Sequence, residues 1–234
     1  MRRVTALAAF LIGDLFTTLL AVLPVGLAVA LYWVTFYYPV TPEYLASVGG
    51  WDLAVVCLVL CLLVSDRANR ASMYLLVARL PRRSELVAGI VVAVLVIMAV
   101  VAAGFAGLAL ATGRVALTAT QGAFAVLRWA AMLLLACSVG LHLGRLVSRN
   151  GSHILAALLL AALFTAGSWR GLGGWATEAV AGALLGIAAP VGSMLGGLAD
   201  GLDWQSTGIV VGYAAVLLGL AGLLFRGKDL LWPE

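Results

Sequence analysis

The chain has 234 residues, of which 64% are hydrophobic and only 10% are charged, and its formal net charge is +4. A water-soluble domain of this size carries about 25% charged residues, so this composition excludes one and indicates an integral membrane protein. The basic excess does not indicate nucleic-acid binding, because the basic residues lie in short segments beside apolar runs, where they orient a protein in the membrane.

The chain begins with an amphipathic stretch, Arg2–Gly13, and Asp14 separates it from the first apolar crossing. The apolar run that continues to Val34 is longer than the core of a signal peptide, and no convincing small-residue cleavage site follows it. We therefore expect this segment to be retained.

Repeated apolar runs predict an all-α polytopic membrane protein, a single transmembrane domain over residues 1–234, because helices satisfy their own backbone hydrogen bonds in lipid. Six spans are predicted, at about Leu15–Tyr38, Asp52–Val64, Leu86–Ala111, Gln121–Gly144, Ser152–Trp169 and Thr207–Phe225. The second is short for the roughly 20 residues that a crossing needs. Its helix is expected to begin within Ala46–Gly50 or to continue past Ser65.

The basic residues also predict the orientation. With a cytoplasmic N-terminus, eleven of the fourteen Lys and Arg residues lie on the cytoplasmic side, Arg114 and Arg170 lie outside, and Arg128 lies within a span. This excess predicts that both termini are cytoplasmic.

Trp175–Ala199 is long enough to be a seventh span, but Pro190 and several glycines interrupt it. A crossing would also place Asp200 and Asp203 in a cytoplasmic loop without Lys or Arg. We predict instead an external pair of re-entrant helices at about residues 175–201, which has to be buried in protein or line a wet cavity.

Five arginines lie in the segment between the second and third predicted spans. A helix over about residues 67–80 would have one charged side and a broad apolar arc, Pro81 would end it, and Ser84 would cap the next helix. Two interpretations follow: an interfacial helix whose arginines meet lipid phosphates, or a surface on which a cytoplasmic partner docks.

This segment resembles the one after the second span in membrane subunits of type-2 ABC transporters. The shared features are Asp66-Arg67, Leu75-Leu76, Pro81, Arg82-Arg83, Leu86 and Gly89, together with six spans and an external short-helix pair. Ala71 and Ile90 depart from the family, which usually has glycine and often lysine there. The resemblance implies a permease subunit, most simply an exporter, in the inner membrane of a prokaryote, working with a second copy or a homologous permease.

The resemblance further implies that residues 67–80 form a coupling helix that rests on a separate ATPase subunit. The residues implied in this contact are Arg67, Arg70, Met73, Tyr74, Leu75, Leu76, Arg79 and Leu80. The chain contains no Walker-type phosphate loop and no hydrolase motif, so it is not expected to be an enzyme by itself. ATP and Mg²⁺ are expected in the partner, and no cofactor is expected in this chain.

Other functions share parts of this pattern. An ABC-type subunit that transmits force and moves no soluble substrate would have the same sequence features. A membrane enzyme, a cofactor-assembly factor, a scaffold or a sensor are further alternatives. The enzyme class needs polar residues converging at one membrane depth, and the spans offer mainly Arg128.

Arg128 lies about seven residues inside the fourth span, roughly 10 Å deep at 1.5 Å per residue. It is expected to snorkel beside Trp129, to pair with Glu178 or to line a translocation path. The external acids, expected to be solvated, are Glu43, Asp52, Glu178, Asp200 and Asp203.

Cys57 and Cys61 are four residues apart, which could begin a soft-metal site. No other Cys or His is near them in sequence, so we interpret them as small core residues. The two histidines, His142 and His153, flank one predicted cytoplasmic turn and are interpreted as ordinary loop-edge residues.

Overall fold

The computed structural model describes residues 2–68, 84–144, 189–191, 193–194 and 203–226, and every long element among them is an α-helix. These helices are α1 (Arg2–Thr17), α2 (Val22–Thr35), α3 (Pro42–Ala68), α4 (Ser84–Ala111), α5 (Ala119–Leu143) and α6 (Trp204–Arg226). Four of them, α3 to α6, are long and apolar enough to cross a membrane. The described part of the chain is therefore an all-helical, polytopic membrane protein.

The first predicted span, Leu15–Tyr38, is not one straight helix, because α1 and α2 meet at an angle of 77°. Hydroxyls of Thr17 and Thr18 donate to the carbonyl of Asp14, and Leu19 has a φ of +58°. A left-handed residue after the last turn is a common helix ending. The 14 residues of α2 rise only about 21 Å, so the pair counts as one broken span or as a re-entrant segment.

The second predicted span, Asp52–Val64, is part of a much longer helix. α3 has 27 residues and extends beyond both ends of the predicted segment. This agrees with the expectation that a crossing needs a longer helix. The boundaries of α4, α5 and α6 agree with the predicted spans to within a few residues. The fifth predicted span and most of the predicted external helix pair lie outside the described residues.

Contacts between helices define two ends of the bundle. Tyr32 of α2 bonds Thr112 just after α4, at 2.8 Å, and Trp129 of α5 bonds Ala46 near the start of α3. We call this the aromatic end, because exposed aromatic side chains surround it: Trp33, Tyr37, Tyr38, Tyr44 and Trp204. Such residues are enriched at membrane interfaces.

α6 also begins at the aromatic end, since Asp203 lies within electrostatic reach of Arg128 and α6 packs along α5. Ser193 Oγ is 2.7 Å from Ser206 Oγ, so the short described stretch around Pro190 lies beside the start of α6. α3, α5 and α6 therefore run in one direction, and α2 and α4 run in the other. We call the opposite end, where α3 ends and α4 begins, the junction end.

α1 confirms the predicted amphipathic start. Leu7, Leu11 and Leu15 are buried on one face, whereas Phe10 and Phe16 are about half exposed on the other. The buried face packs mainly on α4 and more lightly on α3. Because α1 is bent away from α2, it crosses the junction end of the bundle instead of extending it.

Candidate functional site

The segment that resembles a coupling helix is attached to two long helices at the junction end. α3 continues to Ala68, and α4 begins at Ser84 with Glu85 in its first turn. Arg67 lies in the last turn of α3. It therefore belongs to the helix of the second span. The other implied coupling residues lie outside the described residues: Arg70, Met73, Tyr74, Leu75, Leu76, Arg79 and Leu80.

Arg67 pairs with α1. Its Nη1 lies 3.7 Å from Asp14 Oδ2, and the two side chains are 17% and 34% exposed. A partly exposed pair of this length contributes at most about 1 kcal/mol. Its position is informative all the same, because it joins the end of α1 to the last turn of the helix that leads into residues 69–83.

A second contact fixes α1 at the same end. A Cβ at Gly89 would lie 2.5 Å from Leu7 Cδ2 and 2.9 Å from Leu7 Cγ, closer than real carbon atoms approach. Glycine at position 89 therefore allows Leu7 to sit directly on the backbone of α4. Sequence reasoning noticed this glycine only as part of the family resemblance, and the structure adds its packing role.

Several buried polar atoms at the junction end have no hydrogen-bond partner among the residues that the structure describes. They are Ser65 Oγ, Arg67 Nε, Glu85 Oε2 and His142 Nε2. The other ring nitrogen of His142 bonds the carbonyl of Ser138 at 2.9 Å, which fixes the ring along α5. Buried groups left without a partner are uncommon in native proteins and call for an explanation.

The three cysteines converge in the core between α3 and α5. Cys57 and Cys61 donate to the carbonyls of Leu133 and Cys137, at 3.5 and 3.4 Å, and all three thiols are free and buried. Sequence spacing related only Cys57 to Cys61; packing adds Cys137 from another helix. Among the described residues, no group of three or more His, Cys, Asp or Glu has an arrangement that could hold a metal ion.

Arg128 is enclosed by the bundle, with an exposed fraction of 0%. Its guanidinium therefore does not snorkel to the surface. The carboxylates of Asp203 and Glu43 attract it electrostatically, so charges from the starts of α6 and α3 act on one site in α5. Glu178, the partner suggested by the sequence, lies outside the described residues.

Asp203 also caps α6. Its Oδ1 accepts the backbone N–H of Ser206 at 3.1 Å. Hydrogen bonds from the Ser206 hydroxyl and backbone, with a smaller contribution from the charge of Arg128, lower the pKa of Asp203 below its ordinary value of 3.8. Sequence reasoning grouped it with solvated acids. An aspartate directly before an apolar helix is a recognised N-cap signal, so the capping role was detectable, whereas the proximity to Arg128 was not.

Trp129, which follows Arg128 in sequence, belongs to an aromatic cluster. Trp129 Nε1 donates to the carbonyl of Ala46 at 3.1 Å, and its ring meets Phe105 edge-on, with centroids 6.3 Å apart. Asp52, another acid expected to be solvated, is partly buried and accepts the hydroxyl of Thr35 at 2.8 Å. Hydrogen bonds and ring contacts therefore connect α2, α3, α4 and α5 near the aromatic end.

Comparison with protein-family models, with curated proteins and with solved structures finds no match for this chain.

Proposed function

We propose that the chain is the membrane-spanning permease subunit of an ABC transporter, an exporter whose ATPase is a separate subunit. The observation that carries this proposal is the placement of the arginine-rich segment 69–83 directly between α3 and α4. Asp66-Arg67, Leu86 and Gly89, which belong to the resemblance, lie at the helix ends that flank this segment.

The packing at the junction end supports a role in coupling. α3 and α4 pack on each other, and α1 packs on both, with Leu7 seated on Gly89 and Asp14 beside Arg67. A displacement of residues 69–83 by a partner would therefore act on three helices together. A helix lying loosely on lipid would need no such bracing.

The helix directions support six spans. α5 and α6 both begin at the aromatic end, so the chain between them has to cross the membrane an odd number of times. One crossing at about Ser152–Trp169 meets this condition, and the re-entrant pair at about 175–201 then stays on the aromatic side. The excess of arginines in the sequence segments that follow α3 and α5 supports a cytoplasmic location for the junction end under the positive-inside rule.

In this proposal, two permease copies or two homologous permeases share one translocation path, and each coupling helix rests on an ATPase subunit that binds ATP and Mg²⁺. Leu75 and Leu76 would enter a groove in the ATPase, and Arg70 and Arg79 would contact its rim. Arg128 is proposed as a fixed charge beside the external part of the path. The complex would lie in a prokaryotic inner membrane with both permease termini in the cytoplasm.

The test is the double variant L75D/L76D, expressed with candidate Walker-motif ATPases. Each buried leucine contributes about 1.5–3 kcal/mol to such a contact, and aspartates could not be buried there without a large penalty. We expect the variant to insert in the membrane and to lose ATPase co-purification or ATPase stimulation. Normal binding and stimulation would reduce this segment to an interfacial helix.

Leu230 and Leu231 provide a matched control, because they are also adjacent leucines outside every predicted span on the predicted cytoplasmic side. L230D/L231D should retain the ATPase. Loss in both variants would indicate a general response to added acidic charge and would remove the evidence for a specific groove.

The proposed topology has its own test. Single cysteines at positions 69 and 203, in a chain without Cys57, Cys61 and Cys137, should react with an impermeant reagent from the cytoplasmic and the external side, respectively. A reporter fused after Glu234 should be cytoplasmic. An external reporter would mean an odd number of crossings in total and would contradict the six-span arrangement.

A further inference from the structure

All three cysteines of the chain meet between α3 and α5 as free, buried thiols. We propose that they form a thiol redox site, in which hydrogen peroxide oxidises Cys137 of α5 and a disulfide then closes between Cys137 and Cys57 of α3. The bond locks the two helices together. The proposal does not depend on the proposed transport function, because it concerns only contacts inside this chain.

The first observation is the central position of Cys137. Side-chain hydrogen bonds connect its thiol to the thiols of both Cys57 and Cys61. Cys57 Sγ also lies 3.5 Å from the carbonyl oxygen of Leu133, and Cys61 Sγ lies 3.4 Å from the carbonyl oxygen of Cys137. Both thiols of α3 are therefore directed at the stretch of α5 that carries Cys137.

The second observation concerns which of the three sulfurs can bond to each other. Cys57 and Cys61 are four residues apart in α3, and the Cβ atoms of such residues are about 5–6 Å apart on a helix. A disulfide needs a Cβ–Cβ distance of about 3.5–4.5 Å, so these two cannot bond without distortion of α3. Since the chain has three cysteines, Cys137 is the disulfide partner available to either of them.

The third observation favours Cys57 over Cys61 as that partner. Side chains on a helix point toward its N-terminus, so the sulfur of Cys137 lies over the turn that starts at Leu133, and Cys57 donates to the carbonyl of this same turn. Cys61 lies farther along α5, where a Cβ at Gly140 would be 3.1 Å from its sulfur. Cys57 therefore faces the sulfur of Cys137, and Cys61 faces the backbone beyond it.

The chemistry proceeds in two steps and uses one molecule of hydrogen peroxide. Peroxides react with the thiolate form of cysteine, and the two neighbouring thiols are donors that stabilise a thiolate at Cys137. The thiolate attacks the O–O bond and becomes a sulfenic acid, while the displaced oxygen takes up the thiol proton and leaves as water. The thiol of Cys57 then attacks the sulfenic sulfur, forms the S–S bond and releases a second water. Two thiols lose two electrons and two protons, and the peroxide is reduced to two waters.

Burial makes the site selective for a small oxidant. All three cysteines are 0% exposed, so a bulky thiol reagent does not reach them while the chain is folded. Hydrogen peroxide has only two heavy atoms and can pass between helices during brief local openings. We therefore expect the folded chain to react with hydrogen peroxide and to resist a maleimide coupled to a polymer.

The experiment uses the full-length chain, purified in detergent with a reductant, freed of the reductant and treated with hydrogen peroxide. Remaining thiols are alkylated, and linked peptides are identified by mass spectrometry. The wild type should give a peptide pair joined through Cys57 and Cys137, with Cys61 alkylated. C61S is the matched control and should form the same bond, whereas C137S should form no disulfide. In C57S/C61S, which has no second thiol, Cys137 should accumulate as its sulfenic or sulfinic acid.

A second measurement tests whether the bond locks the helices. The peroxide-treated wild type should melt about 5 °C higher than the reduced wild type, and C137S should show no such difference. If C137S does not fold, C137A replaces it in both measurements.

Three results would overturn the proposal. A folded wild type that forms no disulfide would leave the cysteines as small packing residues. A product linked mainly through Cys61 and Cys137 would contradict the assignment of Cys57. A disulfide that forms without raising the melting temperature would contradict the lock.

Discussion

The interface between α3 and α5 is built differently toward its two ends. Toward the aromatic end, Trp129 of α5 lies against Gly49 of α3, together with Phe105 of the adjoining α4, and Arg128, next to Trp129 in sequence, is buried. Toward the junction end, α5 presents Cys137 and Gly140 to Cys61 of α3. Large side chains with polar groups fix one half, and small side chains allow close backbone approach in the other.

The difference shows two ways to hold helices together in a solvent that is itself apolar. Lipid provides no hydrophobic driving force between helices, so association depends on close packing and on interhelical hydrogen bonds. In the aromatic half, large side chains and their hydrogen bonds hold the helices together, and in the junction half close packing of the backbones does. Substitutions should therefore be harmful for opposite reasons: removing atoms in the aromatic half and adding them in the junction half.

The largest effect is expected from R128A. Arg128 is the largest of the fully buried side chains among the described residues, and truncating it leaves both a cavity and two carboxylates that lose a partner charge. By analogy with large-to-small core changes, we expect the free energy of unfolding to fall by about 2–5 kcal/mol, measured by denaturant unfolding in micelles. R114A removes an arginine outside the core and should lower the free energy of unfolding far less. Equal losses in the two variants would show that the buried Arg128 makes no special contribution to stability.

The second-largest effect on stability is expected from G140A. A Cβ there would lie 2.9 Å from Cys61 Cβ, and overpacking of this kind costs about 1–3 kcal/mol. G122A, in the same helix with open space around it, should instead gain up to about 1 kcal/mol through helix propensity. C61G should rescue G140A, and the absence of rescue would contradict the close contact.

A smaller effect is expected from W129F. The substitution keeps an aromatic ring in the cluster, but it removes the indole N–H that bonds the carbonyl of Ala46 together with some buried ring volume. Such a bond contributes about 0.5–1.5 kcal/mol. W204F, at a residue that is 69% exposed, is the control and should be neutral in the same unfolding assay.

The smallest effect is expected at the cap of α6. Because the pKa of Asp203 is lowered in the folded chain, its stabilisation is present above the ordinary value of 3.8 and is lost as pH falls through the lower, folded value. The melting temperature of the wild type should therefore decline more steeply than that of D203N below about pH 4. Parallel curves would mean that Asp203 contributes nothing through its charge.

The sequence by itself determined the membrane class and the positions of α4, α5 and α6, because an apolar run of the right length has few alternatives to a helix in lipid. It also indicated that the second span had to be longer than its apolar core, and α3 is. It could not place the sharp bend between α1 and α2. The bend depends on two threonine hydroxyls that bond one carbonyl and on a leucine in the left-handed conformation, and neither feature changes the hydrophobic periodicity of the sequence.

Only the tertiary structure decided which distant residues meet. Cys137 joins Cys57 and Cys61, Asp203 approaches Arg128, and Asp14 reaches Arg67, each across helices that are far apart in the chain. The physical reason is that hydropathy specifies burial in lipid but not the rotation of a helix about its axis. That rotation is set by close packing at positions such as Gly89 and Gly140, where the neighbour that requires a glycine is known only once the helices are together.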